Sequence, residues 1–162
     1  MKVPPFQELV DAHWIDVARL CHALCRGEEA DDAAQRTWLQ ALRAYPEIKH
    51  AGNLRGWLLT IAARVSTEQF RERTRRPTPL AQTPDRPARD SEGTSVDGQL
   101  WACVRVLPER QRTAVALRYV LRLPHKEIAR MLGTTSAATR RLVSDALTTL
   151  RHSSIEKEEK LS

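Results

Sequence analysis

Aromatic residues are scarce in this chain: two Phe, two Tyr and four Trp make up 5% of 162 residues. Sheets draw heavily on aromatic and β-branched side chains. Ala, Leu, Arg, Glu and Gln dominate instead, a composition that favours helix. Glycine is thin as well, with six residues and no Gly-rich phosphate loop. There is no locally supported Ser-His-Asp arrangement and no paired-His metal motif, so catalysis by this chain has little to stand on. No cofactor or metal is expected. Three cysteines, Cys21, Cys25 and Cys103, are too few and too oddly numbered for a secreted disulfide framework. The start Met1-Lys2-Val3-Pro4-Pro5 holds no apolar signal core, so a reducing cytoplasm is the expected compartment. Charge interrupts every apolar stretch well short of the roughly 20 residues a bilayer span needs. No membrane insertion is expected.

The net charge of +6 is unevenly spread. Residues 1–75 hold eleven Lys and Arg against ten Asp and Glu, while residues 100–152 hold ten against three, a net +7. A compact unit with that excess attracts a polyanion by counterion release, whatever the base sequence. Nucleic acid is the leading partner.

Between about Thr74 and Gly98 the apolar periodicity disappears, and Pro77, Pro79, Pro84 and Pro87 accumulate with Gly, Ser, Thr and Asp. This composition reads as a flexible linker. The expected organisation is all-α: two small helical domains, 5–75 and 99–152, joined by a linker over 76–98 and followed by a charged tail, 153–162.

In the first domain Phe6, Leu9, Val10, Trp14, Val17, Leu20, Cys21 and Leu24 recur at helical steps, the mark of one buried face. Cys21 and Cys25 lie one turn apart on that stripe, with His22 between them and His13 upstream. A metal would need four converging ligands, so they read as core. A second helix, from about Glu29 to Ala44, sets Ala34, Trp38, Ala41 and Leu42 on one side before Pro46. Asn53 is a good cap for a third. Its apolar stripe is Leu54, Trp57, Leu58, Ile61, Ala62 and Val65, and beside it run Trp57, Arg64, Glu68, Arg71 and Arg75.

In the second domain a short helix near Leu100 to Val106 precedes Pro108, expected at the first helical position of a segment reaching Val120. Pro124 opens a helix over His125 to Leu132, which Gly133 stops in a left-handed conformation. From Ser136 a last helix turns Thr139, Leu142, Val143, Ala146, Leu147 and Leu150 inward. Ala137, Arg141, Ser144 and Thr148 point away, with Arg140 and Asp145 at the flanks. Helix, Gly-containing turn and basic helix make a helix-turn-helix.

Two blocks now resemble the two domains of extracytoplasmic-function sigma factors of the sigma-70 family. The first runs Ala30-Asp31-Asp32-Ala33-Ala34-Gln35-Arg36-Thr37-Trp38, then Asn53-Leu54-Arg55-Gly56-Trp57-Leu58-Leu59-Thr60-Ile61-Ala62 and Arg71. It is similar to the family's Ala-Glu-Asp-x-x-Gln and Trp-Leu-x-x-Ile-Ala pattern. The second runs Leu107-Pro108-Glu109-Arg110-Gln111-Arg112, Leu117-Arg118-Tyr119, Glu127-Ile128-Ala129 and Leu132-Gly133, and resembles the promoter-reading domain. Together they cover about 120 residues, with order, spacing and linker position in agreement.

The resemblance implies a non-catalytic initiation subunit that binds core RNA polymerase, its beta and beta-prime subunits, and directs promoter recognition and melting. The helix carrying Asp31, Asp32, Gln35 and Arg36 would bind the polymerase clamp. Trp57, Arg64, Glu68, Arg71 and Arg75, with Arg73, would engage unpaired bases and phosphates of the minus-ten element. The helix-turn-helix would read the minus-thirty-five element, and helical geometry itself puts Ala137, Ala138, Arg140, Arg141 and Ser144 nearest the major groove. Family members are commonly held by an anti-sigma factor, a further partner the resemblance implies.

Three departures fall on positions expected at DNA. Arg64 stands where the family usually has Asn, which favours phosphate binding over base capture. Ala138-Thr139-Arg140-Arg141-Leu142 replaces the family's Thr-Val-Lys-Ser-Arg run. Asp145 replaces a basic residue, unfavourable near phosphates unless an Arg pairs with it.

Taken alone, the acidic residues at Asp31 and Asp32 suit a solvated helix start, which the macrodipole favours, and Trp57 suits a core tryptophan. The competing reading is a stand-alone helix-turn-helix regulator. It explains the C-terminal block and leaves the Asp31 to Trp57 block idle.

Overall fold

The computed structural model describes residues 2–75 and 96–161. Among them it contains seven α-helices, one 3-10 turn and no strand, and the chain divides between Thr83 and Pro84 into two compact units. Of the expected linker, 76–95 lie outside the described residues, and 96–98 form the start of a helix.

In the first unit α1 (Phe6–Leu24), α2 (Gly27–Ala44) and α3 (Leu54–Arg75) all pack on one another. Val17, Leu20, Cys21, Leu24, Ala30, Ala33, Leu58, Leu59, Ala62 and Val65 form the interior. Each fully buried leucine contributes roughly 2 kcal/mol by leaving water. Arg55 donates to Asp16 at 2.9 Å, tying α3 to α1. At the start of α3, Asn53 Oδ1 accepts the Gly56 N–H at 2.8 Å, so Asn53 is the cap its sequence suggests.

Two apolar residues depart from the expected core. Trp14 is 56% exposed and Leu42 51%, and Leu39 beside it is 53% exposed. On α2 the buried line is Ala30, Ala33, Thr37 and Ala41, small residues that let α1 and α3 approach closely. Leu42 lies one step, or 100°, past Ala41 and clears that narrow seam. Trp14, likewise, is off the line through Leu9, Val17, Leu20 and Leu24.

The second unit contains α4 (Val96–Arg105), α5 (Glu109–Tyr119), α6 (His125–Leu132) and α7 (Ser136–Leu161). Pro108 caps α5 rather than occupying its first turn, with φ −50° and an extended ψ of 143°. Gly133 stops α6 at φ +64°, and the Thr134 N–H closes on the Ala129 carbonyl at 2.9 Å. Arg110 Nη2 also donates to the Leu132 carbonyl, at 3.2 Å. The expected charged tail is helical to Leu161, because α7 continues through it. Lys157 on that extension donates to Cys103 Sγ at 3.2 Å, joining α7 to α4. No helix of the described residues is long and apolar enough to cross a membrane.

Two outcomes follow from this packing. Asn53→Ala removes the α3 cap and is expected to cost about 1 kcal/mol in a urea denaturation, with the fold retained. The thiols should separate by burial: Cys21 and Cys25 are 0% and 2% exposed, and burial pushes the Cys21 thiol up against the lowering hydrogen bonds of Ser66 and Thr37. A thiol reagent should label Cys103 alone in the native protein and all three residues in denaturant.

Candidate polymerase and nucleic-acid surfaces

The helix spacing that builds each interior also decides what is left outside. On α2, Asp31 and Asp32 open an exposed face that continues through Gln35, one turn on, and then Leu39 and Leu42. Asp31 accepts from His22 of α1 at 3.2 Å, while Asp32 and Gln35 make no side-chain bond among the described residues. Arg36 stands apart from this group. Its guanidinium turns toward α3, 3.4 Å from Gln69 Oε1 and 3.6 Å from Glu72, and it is spent on holding the two helices together. Leu39 and Leu42 were legible as apolar residues, but only the structure puts them on the open face beside Gln35.

The second surface runs along α3. Trp57 is half-buried, its ring 6.2 Å from that of Tyr45. Tyr45 in turn lies 5.1 Å from Phe6 and donates its hydroxyl to the Pro4 carbonyl at 2.6 Å. The indole is therefore backed by a braced aromatic chain, an interior contact and an exposed edge at once. Further along, Arg64, Glu68, Arg71 and Arg75 are all exposed on the same side. Arg73 is held by Glu29 of α2 at 3.3 Å. Arg64 and Arg75 make no ion pair among the described residues, which leaves two cations available to an outside anion.

The third surface is the helix-turn-helix of α6 and α7. Thr139, Val143, Ala146 and Leu150 bury one side of α7. Ala137, Arg140, Arg141 and Ser144 are exposed on the other, with Ala138 half-buried at its edge. Thr135 Oγ1 accepts the Ala138 N–H at 3.1 Å and fixes the start of the helix. Arg141 lies 3.9 Å from Asp145, so the carboxylate that departs from the family pattern is matched by a neighbouring arginine. That pair is exposed and worth little to stability, but it lessens the charge an approaching phosphate meets. His125, at the first turn of α6, is held below its ordinary pKa by partial burial and then by the charges of Arg118 and Arg140. Cations from α5 and α7 thus converge on the beginning of α6. Sequence reasoning passed over His125, whose partners come from two other helices.

No group of three or more His, Cys, Asp or Glu among the described residues is arranged to hold a metal ion. What the surfaces offer is recognition: an acidic and apolar helix face, an aromatic-basic stripe, and a basic helix-turn-helix.

Comparison with known proteins agrees with this division. The model of sigma-70 region 2 matches residues 9–76, and that of sigma-70, region 4 matches residues 97–150, together about three quarters of the chain. The ECF RNA polymerase sigma factor SigG of Mycobacterium tuberculosis, in two strains, is 27% identical over 154 residues. That match covers 76% of this chain and 41% of the relative, so the chain spans about two fifths of the length of the curated relatives it matches. Among solved structures, the sigma factor RpoE in complex with the anti-sigma factor NepR from Bartonella quintana has a TM-score of 0.71 at 20% identity, covering 91% of this chain and 94% of that one. CnrH in complex with the cytosolic domain of CnrY has a TM-score of 0.70 at 20% identity, covering 91% and 85%. These structural likenesses establish the fold. With region 2 and region 4 both matched, in the family's order and on the two units seen in the structure, the chain belongs to the sigma-70 family, among its extracytoplasmic-function members.

Proposed function

We propose that this protein is a non-catalytic initiation subunit: it binds core RNA polymerase in the cytoplasm and directs promoter recognition, melting and the start of transcription. The observation that carries the reading is the pairing, in one chain, of a region 2 unit with an open acidic face and a region 4 unit with a basic helix-turn-helix. A stand-alone regulator would need only the second.

In this reading α2 meets the polymerase clamp through Asp31, Asp32 and Gln35, with Leu39 and Leu42 adding apolar area that is exposed in the free protein. Arg36 acts by fixing α2 on α3. Trp57 offers an aromatic edge for an unpaired base of the minus-ten element, and Arg64, Arg71 and Arg75 offer phosphate contacts, with Glu68 at the edge of the stripe. Ala137, Ala138, Arg140, Arg141 and Ser144 face the major groove of the minus-thirty-five element, the two arginines suiting guanine edges or phosphates. Melting requires no reacting group, only tighter binding to opened than to duplex DNA. RpoE of Bartonella quintana is solved in complex with the anti-sigma factor NepR, and an anti-sigma factor is the expected regulator here too.

Size exclusion with bacterial core RNA polymerase tests the assignment. Wild type should co-elute, and Asp32→Ala with Gln35→Ala should not, while the double variant keeps its melting temperature because both side chains are exposed. A wild type that binds duplex DNA yet never co-elutes would establish the stand-alone regulator instead.

DNA binding should also be linked to pH through His125. In the free protein Arg118 and Arg140 disfavour the imidazolium. A phosphate laid on the cluster offsets that repulsion, so the pKa in the complex is higher than in the free protein. Binding then takes up a proton, and affinity falls as pH rises through the bound-state pKa and levels off above it. Anisotropy of a labelled duplex between pH 5.5 and 8 should follow this trend, and His125→Gln should flatten it.

A further inference from the structure

Among the described residues, Arg122 is the one non-glycine with a positive φ, at +55°. It sits in the turn between α5 and α6, flanked by Leu121 and Leu123, which are 7% and 2% exposed. The turn has little freedom. The Leu123 N–H bonds the Leu117 carbonyl at 3.1 Å, and Arg118 Nη1 donates to the Leu123 carbonyl at 3.0 Å. Burial of both leucines therefore forces the intervening residue into the left-handed region and throws its side chain outward. An L-residue there is strained where glycine would not be.

The residue occupying this strained position is also a cation, and the elements that flank its turn carry others. His125, three residues on, feels both Arg118 and Arg140. Lys126 is exposed on the first turn of α6, and Arg140 is exposed on the groove-facing side of α7. Arg122 is exposed and has no ion pair or side-chain hydrogen bond among the described residues. Backbone strain argues against arginine here on stability grounds. An external polyanion would give this exposed guanidinium a partner that the described residues do not.

We propose that Arg122 is a phosphate anchor for duplex DNA, extending the footprint of the helix-turn-helix from α7 back onto the turn before α6. The inference rests on the reading of α6 and α7 as the duplex-facing surface. Helix-turn-helix proteins bring the first helix of the motif across the backbone, and Arg122 reaches out just ahead of that helix. The contact is to phosphate, so it strengthens binding without choosing a sequence.

The test uses the full-length protein, a fluorescein-labelled duplex of mixed sequence, and the variants Arg122→Gly and Arg122→Lys. Arg122→Gly should raise the melting temperature by roughly 4 °C as the strain is released. It should weaken duplex binding at low salt by about threefold or more, and the slope of log affinity against log salt should fall by about 0.9, one phosphate contact. Arg122→Lys should keep most of the affinity and the full slope. Affinity and slope unchanged in Arg122→Gly would overturn the anchor. Co-elution with core polymerase, run in parallel, should be retained by Arg122→Gly. A wild type that fails there overturns the sigma reading, a result distinct from an unchanged salt slope.

Discussion

With only about 80 residues in each compact unit, burial can reach one face of each helix and no more. Three helices in the first unit and four in the second spend their apolar stripes on one another. Within each unit the remaining faces have no second layer among the described residues to meet, so they are open to a partner. The proposed functional surfaces all arise from this constraint. Small residues at Ala30, Ala33, Thr37 and Ala41 seat α2 deeply, which is why its other side, from Asp32 and Gln35 to Leu39 and Leu42, stands clear of the unit. Thr139, Val143, Ala146 and Leu150 do the same for α7 and leave its arginines outward.

Charge is arranged on top of that packing. In the first unit the arginines nearest the interior are neutralised within the fold: Arg55 by Asp16, Arg36 by Glu72, Arg73 by Glu29. Such partly exposed pairs add little stability apiece, but they orient the helices and remove those cations from outside competition. In the second unit ten basic residues face three acidic ones over 100–152, and one of those acids, Asp145, is taken by Arg141. An excess that the fold does not neutralise is a standing attraction for a polyanion. Its convergence on the start of α6, around His125, is where that attraction would be felt by a titrating group.

Much of this was readable from spacing. Gly133 had to be left-handed at the end of α6, Asn53 had to cap α3, and the outward side of α7 followed from its inward leucines and valine. The misreadings share one cause. A helical stripe drawn from residue type counts its apolar side chains as buried, yet Trp14 and Leu42 are about half exposed. Hydrophobicity gives a direction around the helix, whereas the width of the buried strip depends on how closely the neighbouring helices approach. Lys157 was equally out of reach, since a charged tail carries no sign that it will continue α7 and meet Cys103 of α4.

The sequence by itself determined the all-helical class, the positions of the helix stops and caps, the family, and the uneven charge that points to nucleic acid. These are local or additive properties: periodicity, turn chemistry and residue counts need no knowledge of distant contacts. Only the tertiary structure decided which exposed groups remain available. It committed Arg36 and Arg73 to ion pairs between helices of the first unit, left Arg64 and Arg75 without an ion pair among the described residues, and backed Trp57 with Tyr45. It also trapped Arg122 in a left-handed turn, because two buried leucines on either side of it fix a backbone that the local sequence would not choose.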